Sequence, residues 1–248
     1  MESKGSKTSN DLTKGKLINH LKNIAIPASI GYLFNTLFNV IDTFWAGKLS
    51  TEALSGLTVS FPIFFIIIAL SVGIGRGTTA LMSIALGSKN KKEFNIFAYN
   101  AFGIAIITSI ILILSSKFIV PILFDFTGST GKAKDLGVMY TETIFFGAFF
   151  FSINYIFNAI LTAQGNTKPF RNFLIIGFFI NLILDPILIF GWLGIPKLGT
   201  VGIALATVIV QLIGTIYLYK KIIKSEMFTL KYFKSDVFEL KKMKELLE

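Results

Sequence analysis

Apolar residues fall in six long runs along the chain, at about 24–46, 56–86, 94–121, 138–164, 169–192 and 199–219, each near or above the length that spans a bilayer. Short polar turns separate them, at 47–53, 87–93, 125–135, 165–168 and 194–197, some carrying the Gly and Pro that punctuate helix ends. Such runs predict an all-α polytopic membrane protein, a bundle of six transmembrane helices. Residues 1–22 are polar and lysine-rich and read as a cytoplasmic arm. The first apolar run is too long for a secretory signal, and no small-residue cleavage pattern follows it. Residues 23–219 form the transmembrane lobe. Residues 220–248 interleave lysine and glutamate with Ile, Phe, Leu and Met, which predicts an amphipathic cytoplasmic segment. Ser235 and Asp236 start a helix there over 237–247.

Polar residues inside the runs carry the functional signal. Pro27, Gly31, Asn35, Asn39 and Asp42 make one continuous helical stripe in the first run, which belongs against protein or water rather than lipid. In the fifth run Asn181 and Asp185 share a face, with Gly177 one turn earlier. A carboxylate inside a membrane helix is expensive and marks function once its partner is named. Both runs cross in the same direction. Asp42 lies roughly 27 Å and Asp185 roughly 24 Å along its helix at 1.5 Å per residue, so the two acids sit at similar depth in the outer half. Pro186 has no N–H, so the Leu182 carbonyl loses its helical partner and becomes a further oxygen near Asp185. Thr207 and Gln211 in the sixth run are a polar i, i+4 pair, and Asn154, Asn158 and Thr162 in the fourth continue the pattern. Each set either lines the lobe or glues helices together. Arg76, within Gly73-Ile-Gly75-Arg76-Gly77, either pairs with an acid, lines a cavity or snorkels to the interface.

Charge placement orients the chain. Eighteen lysines and arginines lie on the side of the two termini, five lie on the other, and Arg76 remains inside a span. The positive-inside rule then puts both termini in the cytoplasm of a multi-pass protein of the cell (inner) membrane. Only 15% of residues are charged and 53% are hydrophobic, so the net charge of +10 serves topology and not nucleic acid. No cysteine is present, and the single histidine, His20, cannot make a metal site alone. Neither a nucleotide loop nor a nucleophile–base pair is visible, so the chain is read as no enzyme and as using no cofactor.

Five segments resemble the multidrug and toxic compound extrusion (MATE) family. They are Val40-Ile-Asp42-Thr-Phe-Trp-Ala-Gly47, Thr79-Ala-Leu-Met-Ser-Ile-Ala-Leu-Gly87, Gln164-Gly-Asn-Thr-Lys-Pro169, Asn181-Leu-Ile-Leu-Asp185-Pro186 and Leu198-Gly-Thr-Val-Gly-Ile-Ala-Leu-Ala-Thr207. The resemblance implies one lobe of a two-lobe fold with a cavity between the lobes. It implies antiport, Na⁺ or H⁺ entering as an organic, often cationic, drug-like or toxic compound leaves. Carried over to this chain, the coupling-ion site uses Asp42, Asn181, Asp185 and Thr207. Asn35, Asn39, Asn154, Asn158, Gln211 and Arg76 are candidates to line the cavity or the lobe. Arg76 departs from the family pattern. The chain matches only the amino-terminal half, residues 220–248 taking the place of the interlobe linker. The expected partners are the lipid bilayer, a small organic substrate and a second six-helix lobe, from the same gene, a split gene or a second copy. A half-size lobe that homodimerises and an inactive truncated fragment are the alternatives.

Overall fold

The computed structural model describes residues 16–225, 227–229 and 240–246. Eight α-helices occur among them: α1 (Leu17–Leu49), α2 (Thr51–Gly87), α3 (Lys91–Phe126), α4 (Gly131–Phe146), α5 (Ala148–Ala163), α6 (Lys168–Phe190), α7 (Thr200–Ile222) and α8 (Leu240–Glu245). Five of these are by themselves long and apolar enough to cross a membrane, and the bent pair α4–α5 makes a sixth span. The result is a multi-pass helical bundle.

The helices outrun the apolar runs. α1 begins at Leu17, inside the stretch read as the arm, and the turn expected at 47–53 shrinks to Ser50. Ser50 is extended and its hydroxyl accepts from the Ala53 amide, so one residue ends α1 and caps α2. Polar side chains at a helix end reach water without leaving the helix, which hydropathy cannot distinguish from a loop. The fourth run is the larger correction. It is not one straight helix but two, meeting at Gly147 with a 48° bend. No proline marks the break. Gly147 faces Val208 on α7 at a separation that leaves no room for a side chain, and close packing accounts for the glycine there. α6 stops at Phe190 because Gly191 takes a left-handed φ of 77°, short of the 192 expected from the apolar run.

Outward faces are apolar. Leu114 and Phe118 on α3 are 71% and 75% exposed, the pattern of a surface that meets lipid. Buried apolar side chains form two clusters, one at each end of the bundle. The first includes Phe94, Phe97, Ile156, Ile160 and Phe173. The second includes Leu57, Phe124, Ile144, Ile189 and Ile203. The start of α1, the α2–α3 and α5–α6 turns and the end of α7 share the lysine-rich end of the bundle.

The segment after α7 lies against that end. Buried Asn95 accepts from the Thr229 amide at 2.9 Å and donates to the Met227 carbonyl at 2.9 Å, while the Tyr99 hydroxyl donates to the Thr229 carbonyl. Phe228 and Leu246 are buried, and Lys242 pairs with Glu93 and Glu245. Of the helix expected over 237–247, the described part is Leu240–Glu245. Its expected cap at Ser235 lies outside the described residues.

Candidate functional site

Four helices bring their polar residues to one buried point. α1 contributes Asp42, α6 contributes Asn181 and Asp185, α7 contributes Thr207, and α4 contributes Tyr140. Asp42 is seven residues from the end of α1 and Asp185 five from the end of α6, so both lie roughly 8–10 Å inside the lysine-poor end, at 1.5 Å per residue. α6 reaches this point because Gly177 lets it close on its neighbours. A Cβ there would lie 2.8 Å from Val210 of α7 and 3.0 Å from Phe38 of α1. One turn on, Asn181 reaches across to α1 and along α6.

The Asn181 amide bridges the two acids. Its nitrogen donates to Asp42 Oδ1 at 2.9 Å and to Asp185 Oδ2 at 2.9 Å. This orientation follows from the partners, since a carboxamide oxygen turned toward two carboxylates would meet only acceptors. Asp42 Oδ2 also receives the Thr207 hydroxyl at 3.2 Å and, at the 3.5 Å limit, the Tyr140 hydroxyl. Asp42 therefore has three donors and Asp185 one. Two buried oxygens, Asn181 Oδ1 and Asp185 Oδ1, have no hydrogen-bond partner. Among the described residues no basic side chain pairs with either acid; the ion pairs are Lys134–Asp125, Lys242–Glu93 and Lys242–Glu245. A buried acceptor without a donor is unfavourable by about 1–3 kcal/mol, more where charge is involved. The arrangement is thus chemically incomplete in one direction only: it lacks positive charge.

Tyr140 escaped the sequence reading. A single tyrosine near the rim of a span is the ordinary mark of an interfacial anchor. The available signal was the helical face Gly137, Tyr140, Thr141, Ile144, all buried in α4. Removing its hydroxyl should be mild. Tyr140→Phe should leave the fold intact and weaken cation binding by about threefold, below the 1.5–3 kcal/mol typical of a hydrogen bond to a charged group, because the 3.5 Å contact is long. Calorimetric titration of the purified protein checks this. The Leu182 carbonyl is not reached by any described side-chain hydrogen bond, and the Leu182 side chain is 40% exposed.

The other expected residues part company. Asn154 donates to both the Gln211 carbonyl at 2.9 Å and Gln211 Oε1 at 2.8 Å, and it accepts from Thr215. All this ties α5 to α7. Asn35 and Asn39 are half-buried on α1. Asn158 accepts from Thr162 at 3.2 Å, and both line a separate cavity of about 340 Å³ near the lysine-rich end. Arg76 lines that cavity too, without an acidic partner among the described residues, and it is joined there by Arg171. The sequence reading had used Arg171 only to orient the chain.

The MatE family model matches residues 27–187. The probable multidrug resistance protein NorM of Thermotoga maritima is 29% identical over 208 residues, 84% of this chain and 45% of that protein. The FAD transporter of Shewanella oneidensis is 31% identical over 195 residues, 78% of this chain and 43% of that one. A solved structure of the outward-facing conformation of a multidrug resistance MATE family transporter of the MOP superfamily superposes with a TM-score of 0.85 at 27% identity. It covers 99% of this chain and 53% of that one. The chain spans a little under half the length of the curated relatives it matches.

Proposed function

The chain belongs to the MATE family of membrane transporters, and from that premise we propose that it is the amino-terminal lobe of a cation-coupled antiporter for organic compounds, with Asp42, Asn181, Asp185 and Thr207 holding the coupling ion. One observation carries this reading. Asn181 Oδ1 and Asp185 Oδ1 are buried and unpartnered beside a second carboxylate, with no basic side chain paired to either acid among the described residues. A proton on Asp185 Oδ1 supplies the missing positive charge with a single oxygen. Na⁺ supplies it by taking both orphan oxygens, with water or a small helix adjustment completing its shell. The residues present fit either ion.

Coupling follows from the helices involved. A cation at the α6 oxygens offsets the repulsion between Asp185 and Asp42, so α6 closes on α1, with α7 held to Asp42 through Thr207, and its departure loosens them. A ligand shifts such an equilibrium only by its differential affinity for the two arrangements. Organic cargo drives the ion out only if it prefers the ion-free lobe. The relatives' names include multidrug resistance and FAD transport, and an organic cargo is what they share. A second lobe of similar size supplies the facing wall of the transport cavity. The lysine-rich end faces the cytoplasm of the inner membrane under the positive-inside rule.

The test uses the full 248-residue chain in neutral detergent. Unfolding temperature is followed as NaCl replaces choline chloride at constant ionic strength, and as pH falls at fixed salt. Ligand at a hundred times its dissociation constant stabilises a protein by about 2.7 kcal/mol. One of the two titrations should show a saturating rise for the native chain that is absent in Asp185→Asn. Identical responses from the two proteins in both titrations would overturn the assignment.

A further inference from the structure

We propose that the cavity at the lysine-rich end binds an amphiphilic anion, a molecule with one phosphate, sulfonate or carboxylate group on an aromatic or aliphatic body. Its walls come from α1, α2, α5 and α6. The charged residues among them are Arg76 and Arg171, and the wall contains no aspartate or glutamate. Neither arginine has a carboxylate partner among the described residues. An arginine in a membrane-length helix is unfavourable unless something compensates it. Here two share one cavity.

Arg171 is pre-set for a ligand. Its Nε and Nη2 donate to Asn172 Oδ1 at 3.1 and 2.7 Å, which holds the guanidinium plane and leaves three N–H donors free of that contact. Thr167 also lines the cavity, at the N-terminus of the 23-residue α6. The dipole of that helix end favours negative charge, the same preference as the two arginines. The remaining wall suits an apolar body. Tyr32, Tyr155 and Phe170 present rings, and Gly31 and Gly75 let α1 approach α6 and α2 approach α5 beside the cavity. The volume of about 340 Å³ matches the lower range of small-molecule sites.

Such an anion reaches the cavity either as a lipid headgroup or as a soluble organic acid, and the experiment separates the two. The full chain in uncharged detergent is titrated with 1-naphthyl phosphate, with 1-naphthol as the uncharged control. Saturable binding of the phosphate is expected, at least tenfold tighter than the naphthol. Arg76→Gln and Arg171→Gln should each weaken it tenfold or more, while Arg76→Lys, which keeps the charge, should lose less than threefold. In a second arm, protein from nanodiscs of mixed phosphatidylglycerol and phosphatidylcholine is analysed by native mass spectrometry. Retention of one phosphatidylglycerol that displaces naphthyl phosphate identifies the lipid as occupant. Naphthyl phosphate binding untouched by phosphatidylglycerol identifies a soluble anion. Asp42→Asn should leave both arms unchanged, so failure here is distinct from failure of the coupling site. Equal binding of naphthol, indifference to both Arg→Gln changes in variants that unfold within a few degrees of the native chain, or no saturable binding of either anion would overturn the proposal.

Discussion

Asp185→Asn should reduce cation-driven efflux by the assembled transporter at least a hundredfold while leaving the protein folded. The substitution keeps the side chain's shape, and the new amide fits its surroundings. Asp185 Oδ2 accepts from Asn181 at 2.9 Å, and an Asn carbonyl in that place accepts the same bond. The orphan Oδ1 becomes an N–H₂ group, and the buried site no longer carries the uncompensated charge of a second carboxylate. The variant should therefore be as stable as the native chain, or more so, yet carry no exchangeable charge. Lost transport with gained stability would separate a coupling role from a packing role. Asp42→Asn should also abolish coupling, with a different stability signature. Asp42 receives three donors, Asn181 on Oδ1 and Thr207 and Tyr140 on Oδ2, and an Asn there keeps only one accepting oxygen, its NH₂ facing a donor at the other position. Destabilisation of about 1–3 kcal/mol is expected there. The measurement is cation-jump-driven dye efflux in vesicles holding both lobes, alongside thermal unfolding. Efflux at the native rate from Asp185→Asn, with its cation dependence intact, would sink the coupling assignment.

Gly56→Leu should remove most folded protein from the membrane, and even Gly56→Ala should cost about 2–3 kcal/mol. A Cβ at Gly56 would lie 2.5 Å from the Ala133 carbonyl oxygen and 2.8 Å from the Gly137 amide nitrogen. These are backbone atoms of α4, so no side-chain rotation relieves the clash and the whole helix must move. The contact is mutual, since a Cβ at Gly137 would lie 2.8 Å from the Gly56 carbonyl oxygen, and Ser60 donates toward the Gly56 and Gly137 carbonyls. Gly73→Ala is the matched control. A Cβ there meets nothing within 4 Å, and alanine favours helix by about 1 kcal/mol over glycine. It should be neutral or stabilising. Thermal aggregation followed by size-exclusion chromatography compares the three variants. The consequence reaches the buried acids as well, because α4 carries Tyr140 one turn beyond Gly137. Survivors of Gly56→Ala should show weakened cation binding, and an unaltered affinity would separate α4 from the site.

The six runs, their alternation and the acids within them were all legible from residue order. Hydrophobic length sets a membrane span whatever its neighbours do, and a buried carboxylate stands out against Leu and Ile. Depth along a helix is likewise a local quantity, which is why Asp42 and Asp185 could be paired from two independent segments. Helix ends were less legible, as Leu17 and Ser50 show, because hydropathy reports solvent preference and not hydrogen bonding. The bend at Gly147 was invisible, since it arises from the approach of Val208 on another helix.

What the tertiary structure alone decided is which polar residues share a neighbour. Asn154 and Gln211 carry the same kind of signal as Asn181, an amide in an apolar helix. Their helices bring the first pair together as a closed knot, whereas Asn181 lands between two acids with an oxygen to spare. Tyr140 and Arg171 gained their meaning only when α4 and α6 were set against other helices. Periodicity specifies a face, but the identity of what stands opposite depends on contacts far apart in the chain. The sequence determined that this protein places two carboxylates at one depth of a helical membrane bundle. Packing decided that one of them is left short of positive charge.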